Sequence, residues 1–268
     1  MPFIKLKNTE LYYESKGEGK QTIVFGHSML FNLRMFDDQV TFLKDKYRCV
    51  SFDFRGQGKS QINKGGYDLD TLTNDIAELM NILNCTPCHF VGFSMGGMVG
   101  MRLAIKHPEL LKSLVLIDTS SDIEPKEKMG KNKMMIWISR YFGLSVLANQ
   151  IMSMFFSANF INDKRRKELK RSWKNHLIAN DKAGITKVVK GVLYRKSITQ
   201  LLSVITTPTL ILVGENDILT PYDKAKILHK NINNSILKVI PRSGHMSPVE
   251  EPDIVNQQIG DFLSFFSK

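Results

Sequence analysis

Short apolar runs punctuate the chain. QTIVFGHS (21–28), RCVSFDF (48–54), HFVGFS (89–94), LKSLVLIDTS (111–120), PTLILVGEND (208–217) and SILKVIP (235–241) each hold a few β-type residues and stop at a turn. Strands of a parallel sheet read in this way, because helices cover both faces and leave no solvent side to alternate with. Helical periodicity fills the gaps, at 33–46, 70–84, 96–107, 222–231 and 249–266. Pro221 and Pro248 stand near helix starts, where a missing N–H costs little. The amino-terminal MPFIKLKNTELYYESKG alternates like a pair of strands. Together these patterns predict an α/β fold: a mostly parallel, eight-stranded sheet flanked by helices and joined by right-handed crossovers.

The alternation breaks at 121–200, where strand signals vanish and helical patterns take over. Residues 134–162 carry a single charge, Arg140, among several Met and Phe, whereas DKRRKELKRSWK (163–174) is densely charged. This predicts a core domain from 1–120 and 201–268, interrupted by a helical cap at 121–200. An apolar insertion over strand ends is well placed to act as a lid. The competing reading is a helix pair that packs only on itself.

Composition narrows the class. The chain has 268 residues, 43% of them hydrophobic and 24% charged, which is enough apolar material for a sizeable core. The amino terminus shows no basic-then-apolar leader, and no uncharged apolar run reaches the roughly 18 residues of a membrane span. Cys49, Cys85 and Cys88 make no disulfide framework. A zinc site wants about four ligands, so CTPC (85–88) reads as packing at a loop-to-strand junction. These features predict a cytoplasmic protein without a membrane span. The formal net charge is +11, and residues 121–200 carry all of the excess, with 17 basic and 6 acidic side chains. Nucleic acid, an acidic partner and an anionic membrane are three readings of that segment. The preferred one is a lysine-rich solvated surface, since no nucleic-acid motif accompanies it.

The chemistry concentrates at Gly92-Phe93-Ser94-Met95-Gly96. The run ends an apolar strand and opens a helix. A serine on so sharp a turn exposes its hydroxyl, and glycines on either side avoid collision. The helix then aims its first N–H groups and positive dipole end at the same spot. A serine hydroxyl needs a base. Among six histidines, His245 lies in IPRSGHMSPVEEP, after the last strand and before the last helix. His107 reads as a helix C-terminus, and His176 and His229 as surface residues. An orienting carboxylate completes such a relay. Asp217, in LVGENDILTP, is favoured over Glu215 and over Asp118, which could instead accept loop N–H groups. The order Ser94, Asp217, His245 is that of α/β-hydrolases. Oxyanion donors are expected from the backbone N–H of Met95 and, in the loop after 21–26, of Met29. Asp53 and Arg55 read as loop-holding residues.

At these residues the chain resembles α/β-hydrolase fold enzymes along nearly its whole length. FGHSMLFNLRMFDDQV resembles the oxyanion-loop region, and FDFRGQGKS the D-x-R-G-x-G-x-S loop. VGFSMGGMVGMRLAIKHPELLKSLVLIDTS resembles the nucleophile elbow with its following helix and strand, while TPTLILVGENDILTP and SGHMSPVEEP resemble the acid and histidine loops. The elbow is similar to those of 3-oxoadipate enol-lactonases and small carboxylesterases. The resemblance implies cofactor-free hydrolysis of a small-molecule ester or lactone. Two departures stand out: His27-Ser28 where the family commonly has His-Gly, and a longer, more charged insertion. The insertion leaves the substrate open. An esterase for acyl methyl esters on an acidic carrier protein is one alternative; a cofactor-free perhydrolase and a non-catalytic ligand receptor are others.

Overall fold

The computed structural model describes residues 2–266. The apolar runs become strands, and all but the last have side chains covered on both faces. The chain order is β1 (Phe3–Lys5), β2 (Glu10–Lys16), β3 (Thr22–Gly26), α1 (Asp37–Leu43), β4 (Arg48–Phe52), α2 (Leu69–Ile82), β5 (Cys88–Phe93), α3 (Met95–Lys106) and β6 (Leu111–Ile117). Five helices follow: α4 (Lys126–Phe142), α5 (Ala148–Phe155), α6 (Ala158–Asn162), α7 (Lys167–Ile178) and α8 (Lys182–Leu193). Then come β7 (Thr209–Gly214), α9 (Tyr222–Asn231), β8 (Ser235–Ile240), α10 (Ser247–Glu250) and α11 (Pro252–Ser264).

The sheet has eight strands in the order β1-β2-β4-β3-β5-β6-β7-β8. β1 and β2 are antiparallel to their neighbours, and the remaining pairs are parallel. Every residue of β3, β5 and β7 is buried. β8 is an edge strand and alternates instead, leaving Ile236 and Val239 exposed.

Strand order reverses at β3 and β5, whose following segments leave toward opposite sides. Gly26 pairs with Gly92, so the two strands end level. In open α/β sheets a ligand crevice forms outside the strand ends at such a switch point.

Two predicted helices are broken. The pattern at 33–46 yields a short 3-10 turn, Leu33–Phe36, followed by α1. The pattern at 249–266 splits at Glu251, whose backbone is not helical (φ −133°, ψ 61°) because the ring of Pro252 disfavours a helical residue before it. No described helix is long and apolar enough to cross a membrane.

Candidate active site

Ser94 occupies the junction of β5 and α3 with φ 50° and ψ −111°. Hydrogen bonds to both of its backbone groups hold that unfavourable conformation: Ser94 N donates to Ile117 O at 2.8 Å, and the Thr119 side chain donates from Oγ1 to Ser94 O at 2.7 Å. The turn brings α3 hard against β3, and a side chain at Gly96 would run into the carbonyl oxygen of Gly26.

His245 Nε2 lies 2.9 Å from Ser94 Oγ. Its Nδ1 lies 2.8 Å from Asp217 Oδ2, so Nδ1 donates to the carboxylate and Nε2 accepts the serine hydroxyl. The imidazole is held between two rings, Phe93 of β5 at 5.1 Å and Phe155 of α5 at 5.3 Å. Asp217 also accepts from Leu219 N (2.8 Å), Thr220 N (3.0 Å) and Thr220 Oγ1 (2.7 Å). Burial pushes its carboxyl up, but the charge and hydrogen bond of His245, with the Thr220 bonds, outweigh burial and hold it below the usual carboxylate range. Nothing in the sequence marks Thr220 except its position three residues after Asp217.

The rival carboxylates do other work. Glu215 Oε2 accepts from Arg242 N at 2.8 Å, away from the imidazole. Asp118 accepts from Gly214 N at 2.7 Å and from Ser247 Oγ at 2.5 Å, binding the ends of β6 and β7 to α10. Burial first, and the nearby Asp217 charge second, push its carboxyl well above the usual range. His107 caps α3, and His229 pairs with Ser235 on the surface. His176 is half-buried rather than on the open surface, its ring 5.2 Å from that of Trp173.

The loop after β3 is braced by its neighbours. His27 Nε2 accepts from Phe54 N at 3.0 Å, which leaves Nδ1–H to donate to Ser28 O at 2.6 Å. Burial lowers this imidazole against the pull of Asp53, so it stays neutral as a backbone brace. Asp53 accepts from Leu33 N and Lys59 N, both at 2.9 Å. Arg55 makes a two-pronged pair with Asp75 of α2, both bonds 2.6 Å. Leu30 has a left-handed φ of 72°. Its N–H donates to Gln57 Oε1 at 2.8 Å, and its carbonyl accepts from Asn180 Nδ2 at 2.7 Å. No group among the described residues takes the N–H of Met29 or Met95.

Glu250 ties the loop that carries His245 to the start of α6. Its Oε1 accepts from Gly244 N at 3.0 Å and its Oε2 from Ser157 N at 3.1 Å. Met246 N donates to Phe155 O at 3.0 Å across the same seam. The bonds to Ser157 and Phe155 carry no sequence signal, because they join groups remote in the chain.

A cavity of about 350 Å³ opens above Ser94 and His245. Met29, Met98, Met135, Ile136, Leu147 and Val189 give it mostly apolar walls, and Lys128 and Lys131 of α4 also line it. Among the described residues, no group of three or more His, Cys, Asp or Glu converges as metal ligands would. What the arrangement offers is a line of proton-transfer groups, hydroxyl to imidazole to carboxylate, at the floor of an apolar pocket.

A family profile described as alpha/beta hydrolase fold matches residues 21–252. The 3-oxoadipate enol-lactonase 2 of Acinetobacter baylyi is 27% identical, with all of both chains covered. Two solved structures are similar in shape. The enol-lactonase of Burkholderia xenovorans LB400 has a TM-score of 0.91 at 26% identity, covering 98% of this chain and 100% of its own. A thermophilic esterase from Thermogutta terrifontis has a TM-score of 0.90 at 26% identity, covering 97% of this chain and 95% of its own. The switch-point serine, the strand order and these likenesses agree with one another, and the chain belongs to the alpha/beta hydrolase fold family.

Proposed function

We propose that this protein is a serine hydrolase that cleaves a carboxylic ester or lactone through Ser94, His245 and Asp217. The observation that carries the reading is the 2.9 Å approach of His245 Nε2 to Ser94 Oγ, with Asp217 on the other ring nitrogen. Ser94 Oγ attacks the carbonyl carbon while its proton passes to Nε2. The tetrahedral oxyanion takes hydrogen bonds from the N–H groups of Met29 and Met95, which no other group among the described residues uses. Collapse breaks the bond to the alkoxy oxygen, which leaves with the proton from Nε2. Water, deprotonated by the same nitrogen, then attacks the acyl-enzyme and restores Ser94. Asp217 keeps the tautomer and offsets the imidazolium charge. The segment 121–200 acts as the cap, and its apolar side chains bind the acyl or alcohol portion. Esterase and enol-lactonase relatives support this chemistry.

A second reading rests on Lys128 and Lys131, which line the cavity and would meet an anionic group on the substrate or on an acidic carrier protein.

Ser94→Ala tests the main reading. Hydrolysis of p-nitrophenyl esters should fall roughly 10⁴-fold or more, and covalent labelling by a fluorophosphonate should disappear. Parent-like rates in the purified variant would overturn it.

A further inference from the structure

α4 presents two different faces. One, of mixed character, lines the cavity with Met135 and Ile136 beside Lys128, Lys131, Asn132 and Ser139. On the opposite face stand Met134, Trp137 and Tyr141, spaced as neighbours on a helix, with exposures of 57%, 56% and 65%. Phe142 extends the patch at the helix end, 59% exposed, and Val146, beyond Gly143, is 66% exposed. The Trp137 ring lies 5.4 Å from that of Tyr141 and 5.8 Å from that of Phe142, so the aromatics form one cluster. None of these five residues lines the cavity. Contiguous exposed apolar surface of this kind marks an interaction site.

The charges around it select the occupant. α4 holds Lys126, Lys128, Lys131, Lys133 and Arg140 against a single acid, Glu127. Lys133 and Arg140 stand four residues before and three after Trp137, Lys126 stands seven before Lys133, and all three are exposed with no acidic group paired to them among the described residues. A second copy of the chain fits poorly, because the insertion carries the whole +11 excess and would face its own charge. A protein interface favours Arg and depletes Lys, whereas this rim is mostly Lys. Trp and Tyr amid lysines suit the headgroup level of a bilayer: the rings sink to the acyl boundary and the long cationic stems reach back to the phosphates.

We propose that the outer face of α4 docks on an anionic lipid bilayer, with Trp137, Tyr141 and Phe142 entering the interface and Lys126, Lys133 and Arg140 meeting lipid phosphates. The cavity-lining face of the same helix then lies directly behind the membrane contact. The proposal stands independently of the hydrolase reading.

The test is co-sedimentation of the full chain with vesicles of phosphatidylcholine alone and of equimolar phosphatidylcholine and phosphatidylglycerol. Binding to the anionic vesicles should exceed that to the neutral ones by roughly ten-fold or more, since each cation near such a surface strengthens it several-fold, and it should weaken with salt. The chain has two tryptophans, and Trp173 is buried, so a blue shift of emission on binding reports Trp137. Trp137→Ser combined with Tyr141→Ser and Phe142→Ser should abolish binding. Should that variant misfold, Lys126→Glu with Lys133→Glu and Arg140→Glu tests the same contact through its charges and should likewise abolish binding. Equal binding to both vesicle types, binding that survives either variant, or patch-dependent dimerisation or capture of an acidic protein without vesicle binding would each overturn the proposal.

Discussion

Asn180, between α7 and α8, donates its Nδ2–H to the carbonyl of Leu30, at 2.7 Å, in the loop that follows β3. Gln57, from the loop after β4, takes the N–H of the same residue at 2.8 Å. Two side chains from remote segments thus grip both polar groups of one left-handed residue, immediately after Met29.

If the Met29 N–H serves the oxyanion, loosening this grip misaims it. Losing a donor outright costs roughly 3–4 kcal/mol of barrier, and a misaimed donor loses part of that. Gln57→Ala and Asn180→Ala should each lower kcat by about ten-fold with a smaller change in KM. Steady-state kinetics on a p-nitrophenyl ester read the split; an unchanged kcat in both variants refutes the role.

Asp217→Asn should reduce kcat by about 10⁴-fold, because the amide no longer fixes the tautomer of His245. It also has a stability signature. The Asp217 carboxyl titrates below its ordinary value, so its stabilisation is fully present above about pH 4 and is lost as pH falls through the lower folded value. The gap in unfolding free energy between parent and variant should therefore narrow on acidification below about pH 4. Urea titrations at several pH values measure it, and a constant gap would contradict the assignment.

His89 is buried in β5, with Ser113 Oγ and Gln21 Oε1 each 2.8 Å from its ring nitrogens. Burial first, then Lys112, brings its pKa down from 6.5 to about 4. The folded state resists a proton that the unfolded chain accepts, so stability declines as pH drops across this window, by up to about 3 kcal/mol. His89→Gln should flatten the parent's pH–stability slope between about 6.5 and 4. An unaltered slope would place the titration elsewhere.

One substitution should act with opposite sign at two glycines. At Gly96 a Cβ meets the backbone of Gly26 and His27, which cannot yield cheaply, so Gly96→Ala should destabilise by about 1–3 kcal/mol or more and spoil the elbow. Gly130 of α4 has nothing within 4 Å, and Gly130→Ala should stabilise by about 0.5–1 kcal/mol. Thermal melts of the two variants shifting in the same direction would refute the contrast.

Much of this organisation is legible in the sequence because it is local. The strand runs announce themselves by composition, and Gly92-Phe93-Ser94-Met95-Gly96 encodes a turn within five residues. His245 and Asp217 stand out because each follows a strand. Gln57, Asn180 and Glu250 do not, because each bonds to a backbone group remote in the chain; Thr220 bonds only three residues back, to Asp217, and no motif sets it apart from any other threonine. The split at Glu251 is encoded by Pro252, but the apolar period runs across it and masks the break. The two-sidedness of α4 is hidden in the same way: a run rich in Met and aromatic residues does not say which side chains face inward.

The 151-residue separation between Ser94 and His245 carries a consequence for biosynthesis. The ribosome releases the hydroxyl long before the imidazole that sits beside it in the finished molecule. Until β7 and β8 have been added to the sheet's far edge, a nascent or prematurely terminated chain holds an alcohol with no partner to ionise it. On the proposed hydrolase reading such fragments are chemically silent, and the reactive centre comes into being only late in translation, once the segment after β8 has emerged.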